Sequence, residues 1–368
     1  MIDARVLNGA LRITVSNEGV YVFDLEGRPA YIEHGLRSYV RGLSGAVLRK
    51  SWAGRRRIVE EVTGEERERL LEAAYGAARR ALQEDPGGAR GALELTSSRG
   101  IPWLREDERR FREIYLPVSI LPPDQYLSIY LQATIGCSYN RCSFCVFYRD
   151  RSYRARDPRE FRAHAELVKR WLGAGLLLRR GVFLGDANPL GVQGELALEY
   201  VRIAAEAFPG RSIYAFADYF STRLDQGYYS RMRSLGLKAV YLGLESGSEE
   251  VLRLLNKPPE PRLAVRMAKE LLGAGVARGI IVLVGAGGRR LWREHVRRTL
   301  EVLDDMDLGQ GDVVFLSRLE PMRGAPYFSE VADHLTEEEM DEQQEELESA
   351  LRERGLRTAP YDVREFVY

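Results

Sequence analysis

From about residue 126 onward, short apolar runs alternate with longer helical stretches, and this alternation narrows the folds open to the chain. Strands are expected at Leu127–Ile135, Gly181–Leu184, Ser212–Ala217, Ala239–Leu244, Gly279–Val284 and Asp312–Ser317. Helices fall between them at about Pro158–Leu172, Gly194–Ala207, Leu224–Leu235, Ser248–Leu255 with Pro261–Leu272, and Trp292–Met306. A last helix opens at Thr336-Glu337-Glu338-Glu339, where a threonine and a glutamate three residues on form a capping box. Strands that are each followed by a helix imply a parallel sheet with right-handed crossovers. The stretch Ile280–Val284 is apolar on both faces, as a sheet covered on both sides requires. The expected class is α/β; spacing alone does not decide whether the units curve or close.

The first part of the chain reads differently. Arg12 to Asp24 alternates partly between apolar and polar residues, with turn signals at Ser16-Asn17-Glu18-Gly19 and Glu26-Gly27-Arg28-Pro29. Thr63-Gly64-Glu65-Glu66 is a second capping box, opening a helix through Leu70, Leu71, Ala74, Ala78 and Leu82 that ends at Asp85-Pro86-Gly87-Gly88. Residues 1–90 read as a small α+β module. The stretch to Pro123, with Pro102, Pro117, Pro122 and Pro123, reads as a connecting segment. The expected division is 1–116 for the module and its connection, and 117–368 for the α/β domain with its C-terminal helix.

Charge excludes little by itself. Fifty-four basic residues balance fifty-four acidic ones, so there is no overall electrostatic footprint for nucleic acid or an anionic membrane. The cluster from Arg49-Lys50 to Arg55-Arg56-Arg57, with Trp52 inside it, reads as a solvated loop in preference to a phosphate site. No run of apolar residues is long enough to span a bilayer, and Met1-Ile2-Asp3-Ala4-Arg5 does not begin a signal peptide. A cytoplasmic protein is expected.

The chemistry concentrates in Gly136-Cys137-Ser138-Tyr139-Asn140-Arg141-Cys142-Ser143-Phe144-Cys145. These three cysteines are the only ones in the chain, and their spacing is Cys-x4-Cys-x2-Cys. Three thiolates on one short loop can bind three irons of a cubane, which ordinarily takes four cysteines. With no fourth cysteine, the fourth iron is open to a chelating small molecule. Two plainer readings stand beside this one. A structural zinc would need a fourth ligand from His34, His164, His295 or His334, all remote in sequence. The three thiols would otherwise pack as small apolar side chains.

The loop, the strand before it and the units after it resemble the radical S-adenosylmethionine (SAM) superfamily over about residues 117–355. That family usually carries Cys-x3-Cys-x2-Cys with an aromatic residue before the third cysteine. This chain keeps the x2 gap and the aromatic, Phe144, and has one extra residue between Cys137 and Cys142. The resemblance implies a partial (β/α)6 TIM-like barrel with a [4Fe–4S] cluster on Cys137, Cys142 and Cys145. It implies that SAM chelates the open iron and is cleaved reductively to a 5′-deoxyadenosyl radical, which takes a hydrogen atom from an unknown substrate. A low-potential electron donor of flavodoxin or ferredoxin type is implied as partner.

Site candidates then follow at the strand ends, where barrels collect function. Gly185, Asp186 and Asn188 stand where the family's glycine-rich segment meets the SAM amino group; the plainer reading is a turn into a helix. Asp218 and Glu245 are candidates for the ribose hydroxyls, with Glu245 also explicable as an acid near a helix N-terminus. Gly285 lies in a stretch similar to the family's glycine-containing pattern near adenine, and Phe144 would cover the cluster or the adenine. Arg149, Arg151, Arg154 and Arg156 would meet an anion or stand in solvent. Lys257 follows the fourth strand's helix with no role assigned. The alternative class is an iron–sulfur protein that binds SAM or transfers electrons without substrate chemistry.

Overall fold

The computed structural model describes residues 1–53, 56–84 and 87–368. Arg55, the side chains of Arg56 and Arg57, and the expected helix end at Asp85-Pro86 lie outside what is described. The chain divides into two compact units. One comprises Met1–Ile129, Glu166–Arg180 and Arg364–Tyr368; the other comprises Tyr130–Ala165 and Gly181–Val363.

In the first unit, β1 (Ile2–Leu7), β2 (Ala10–Val15), β3 (Gly19–Asp24), β4 (Pro29–His34), β5 (Arg37–Arg41), β6 (Val47–Ala53) and β7 (Arg56–Val62) form one antiparallel sheet in chain order. Alternation decides the buried face: Leu11, Ile13 and Val15 are inside while Arg12 is exposed. Helix α1 (Gly64–Glu84) lays Leu71, Ala74, Tyr75 and Ala78 against that face, at the spacing of one helical stripe. Arg49 and Lys50 of the basic cluster are paired, Arg49 with Glu60 and Glu66 and Lys50 with Glu365.

The stretch expected as a connection is largely helical, as α2 (Arg90–Ser98) and α3 (Ile101–Ile114). Pro102 sits in the first turn of α3, where a missing N–H costs nothing. The inner face of α3 is Leu104, Asp107 and Phe111. Asp107 breaks the apolar pattern because it is buried against Arg28, which reaches it through Nε and Nη2 at 2.7 Å each. Arg28 also pairs with Asp24 and lies over the Trp171 ring. A buried guanidinium with both carboxylates in place meets the requirement that buried charge be paired and hydrogen-bonded.

In the second unit, β8 (Ile129–Gln132) begins a seven-stranded sheet, and β9 (Thr134–Ile135) pairs antiparallel with β10 (Arg154–Ala155). The other strands are β11 (Val182–Gly185), β12 (Ile213–Ala217), β13 (Leu237–Glu245), β14 (Ala277–Val284), β15 (Val313–Arg318) and β16 (Thr358–Tyr361). Their order is β8-β11-β12-β13-β14-β15-β16, and every neighbouring pair from β11 to β16 is parallel. Helices α4 (Pro158–Leu172), α5 (Gly194–Ala207), α6 (Gln226–Ser234), α7 (Glu249–Leu254), α8 (Pro261–Gly273), α9 (Gly288–Asp305), α10 (Tyr327–Glu330) and α11 (Glu337–Glu353) fill the crossovers. This is the open, sequentially ordered sheet of a partial (β/α) barrel. It has one strand more than expected, because Thr358–Tyr361 is too short, and too interrupted by Pro360, to read as a strand.

One face of this sheet carries a chain of rings. Phe183 meets Phe216 at 4.9 Å, Phe216 meets Tyr241 at 6.2 Å, Tyr241 meets Phe315 at 5.9 Å and Phe315 meets Tyr361 at 6.0 Å. Gly279 on β14 makes room, since a Cβ there would lie 2.4 Å from the Tyr241 ring. Two residues further along the same face stand Gly185, Asp218 and Gly243, so the rings form a floor beneath the strand ends. At the opposite end of β14, buried Arg278 pairs with Asp312 and donates to the Ala268 and Met306 carbonyls. Among the described residues no helix is long and apolar enough to cross a membrane.

Candidate functional site

The short β9·β10 ladder closes the base of a loop, residues 136–153, that contains all three cysteines. Gly136 enters that loop at φ +74° and donates its N–H to Asp186 Oδ2 at 2.8 Å. The middle of the loop is bolted to the segment after α7. Ser143 donates its N–H to Leu255 O at 2.9 Å and its hydroxyl to Leu254 O at 2.8 Å. Tyr139 Oη donates to Asn256 O, and Asn256 Nδ2 donates to Arg141 O, both at 2.8 Å. Tyr327 donates its N–H to Ser143 O at 3.1 Å, and Arg149 donates to Gly324 O and Cys142 O. Sequence reasoning missed Ser143, Leu254, Asn256 and Tyr327, because bonds to backbone carbonyls leave no pattern in a sequence.

The three thiols are half-buried within nine residues of one loop. Burial pushes Cys142 up to about 12 and Cys145 up to about 11. Burial also raises Cys137, against the pull of the Asn140 and Tyr139 backbone N–H groups. Loading a metal group here therefore displaces protons. Among the described residues, no three His, Cys, Asp or Glu side chains converge as on a single ion. A cubane spreads its thiolates over separate irons and does not ask for that convergence.

Asp186 is fully buried. Its Oδ1 accepts from Tyr130 Oη at 2.6 Å and Gln132 Nε2 at 3.2 Å; Oδ2 takes Gly136 N–H and lies 3.6 Å from Arg151 Nη1. Burial raises its pKa against the combined pull of these donors. Its carboxylate thus ties the end of β11 to β8 and to the mouth of the cysteine loop. Gly185 packs flat on Tyr130, whose oxygen would lie 2.1 Å from a Cβ.

Asn188 and Asp218 form one network. Asn188 Nδ2 donates to Asp218 Oδ2 at 2.7 Å and to Ser221 Oγ at 2.9 Å, while Asp218 Oδ1 takes the Ser221 N–H at 2.6 Å. Asp218 is near enough to Cys137 to raise its pKa slightly. Glu245 sits at a bulge in β13, at φ +64°, and pairs with Lys257 Nζ at 2.9 Å. Lys257 also donates to Gly243 O and stands 5.2 Å from the Tyr219 ring centre. Burial pulls the Lys257 pKa down, but Glu245, Tyr219 and Cys142 hold it above the ordinary value. Lys257, left without a role by the sequence, is the buried cation facing both Glu245 and the cysteines.

Phe144 packs against the apolar cluster that includes Val251, Leu255, Leu283, Ala286 and Tyr327. Gly285, at φ +91°, donates its N–H to Gln343 Oε1 at 2.6 Å, and Gly287 donates to Tyr327 Oη at 2.8 Å. The candidates therefore fall on one rim of the sheet: the cysteine loop, the Asp186 and Asn188–Asp218 groups, the Glu245–Lys257 pair, and the glycine turn after β14. Of the four arginines, Arg151 reaches Asp186, while Arg154 and Arg156 pair with Glu160.

The sequence model of the radical SAM superfamily matches residues 131–303, which contain this loop and the strands from β11 to β14. Over residues 131–303 the chain is similar to the radical SAM superfamily. Radical SAM enzymes use a [4Fe–4S] cluster and SAM. Among solved structures, coproporphyrinogen III oxidase from Escherichia coli, described as a radical SAM enzyme, is 14% identical with a TM-score of 0.48. The match covers 70% of this chain but 57% of the oxidase, so the chain spans little more than half of that protein's length. Methylornithine synthase is 18% identical over 78% of this chain and 70% of its own, with a TM-score of 0.44. The FeFe-hydrogenase maturase HydG from Carboxydothermus hydrogenoformans is 16% identical over 80% and 71%, with a TM-score of 0.42. No curated protein matches the chain in sequence.

Proposed function

We propose that Cys137, Cys142 and Cys145 hold a [4Fe–4S] cluster through three irons and leave the fourth to SAM. The reading rests on three half-buried thiols within nine residues of a loop pinned at both ends and in its middle, in a chain with no fourth cysteine. When bound, the cluster and SAM together supply reductive cleavage to methionine and a 5′-deoxyadenosyl radical. The chain's own residues position and shield. Asp186 fixes the loop entrance through Gly136 N–H. The Glu245–Lys257 pair puts one positive and one negative charge beside the thiols, and such a desolvated pair acts more strongly than it would in water. Phe144 covers the loop from the β14 side, and the ring floor keeps water from entering beneath.

For SAM itself, the backbone around Gly185 and the side chains of Asn188, Asp218 and Glu245 are the proposed polar contacts, with Gly285 on the adenine side. Asp186 enters this reading as a positioning residue, because its oxygens already accept from the protein. The reaction is hydrogen abstraction from a substrate that the residues do not name, fed by a low-potential donor of flavodoxin or ferredoxin type. The polar groups gathered at the strand ends favour this reading over electron transfer alone.

Electron paramagnetic resonance tests it. In protein reconstituted without air and reduced with dithionite, adding SAM is expected to change the cubane signal, as ligation of an open iron must. A full cubane whose signal ignores SAM would remove the open-iron reading.

A further inference from the structure

We propose that Asn140 raises the reduction potential of the cluster through its backbone N–H, which donates to Cys137 Sγ at 3.2 Å. The proposal rests on the cluster assignment above.

Asn140 lies in the Cys-x4-Cys gap that is one residue longer than the usual family spacing. Its φ is +47°, and it is the only residue of the loop other than Gly136 in the left-handed region. Asparagine is among the few side chains that visit this region readily. The turn has a consequence for the sulfur, because it swings the residue-140 amide back onto the first cysteine. Three further bonds hold it there. Asn140 Nδ2 donates to the carbonyl of buried Tyr148 at 3.0 Å. On either side, the Tyr139 hydroxyl and the Arg141 carbonyl are both bonded to Asn256. The amide is thus aimed in advance, without reorganisation when charge changes.

The physical effect has a definite sign. Reduction adds negative charge to the cluster and its thiolates. A donor fixed on one sulfur stabilises the reduced state more than the oxidised one, so the potential rises. The groups facing Cys137 include an opposing one, Asp218, whose charge acts the other way. The residue-140 N–H donates to the sulfur itself, with the Tyr139 N–H acting in the same direction.

The test compares three whole, reconstituted proteins by redox titration followed by electron paramagnetic resonance. One is unaltered. One is Asn140→Gly, which keeps the N–H and the left-handed turn. In the third, the α-hydroxy analogue of asparagine at position 140 replaces the amide by an ester. At a fixed ambient potential the ester protein is expected to show a reduced-to-oxidised ratio about three- to tenfold lower, tenfold being about 59 mV for one electron. In Asn140→Gly, which loses only the Nδ2 bond to Tyr148, the ratio is expected to fall by less than in the ester protein. An unchanged ratio in the ester protein overturns the proposal. So does an equal fall in Asn140→Gly, which would assign the effect to the side chain.

If the ester protein loses its cluster, the unaltered protein labelled with 15N-asparagine decides. The chain has five asparagines, and of these only Asn140 lies in the loop. A 15N coupling to the reduced cluster supports the contact, and its absence overturns it. Iron and sulfide content separates the two levels: a full cubane with an unchanged potential defeats this proposal alone, whereas no cubane defeats the cluster assignment with it.

Discussion

Cys142→Ala, reconstituted without air, is expected to lose the cluster: iron falls from about four per chain to below about one. Two features make this position decisive. Its neighbours on the chain, Arg141 and Ser143, are fixed by Asn256 and Leu255, so no adjacent group can swing in as a substitute. The thiol itself is held by burial at about 12, which leaves it protonated until metal displaces the proton. Alanine removes the ligand and keeps the loop, because the bonds that pin the loop use other residues or the residue-142 carbonyl, which alanine retains. Near-wild-type circular dichroism with little iron is the expected pair of results. A variant retaining a full complement of iron and sulfide would show that Cys142 is not a ligand.

Asp186→Ala is expected to be the costliest substitution outside the cysteines. The carboxylate is fully buried and serves Tyr130, Gln132, Gly136 and Arg151 together. Removing it takes a buried partner from the Tyr130 hydroxyl, the Gln132 amide, the Gly136 N–H and the Arg151 guanidinium. Breaking a buried pair of this kind costs about 3–5 kcal/mol. The cost falls on the joint between β8, β11 and the cysteine loop, so stability and iron retention should fall together. Chemical denaturation and iron analysis check this, with Asp186→Asn as the milder companion that keeps the shape. Unchanged stability and iron would mean that the loop is anchored elsewhere.

The parallel sheet was legible because its strands are apolar runs set at regular intervals, and the cysteine loop because three cysteines in nine residues leave few readings. Helix α3 was not legible, because its inner face contains Asp107, and only the distant Arg28 makes that burial tolerable. Strand β16 was hidden by its length and by Pro360, which an edge strand tolerates. At the site, Asp186 stood out by its place after a strand, yet its partners Tyr130 and Gln132 lie more than fifty residues away and share no motif with it. Lys257 was visible as a residue but not as a charge beside Glu245, since only the turn through α7 brings it back to the end of β13. Asn140 looked like spacing; its φ of +47° turns it into a contact on sulfur.

Radical chemistry at the cysteine loop is tested by the formation of 5′-deoxyadenosine, followed by chromatography after SAM and dithionite are added to the reconstituted protein. Wild-type protein is expected to form the nucleoside, and Cys142→Ala is not. Wild-type protein with a full cluster and bound SAM that releases none, or a variant that releases as much, would contradict this expectation.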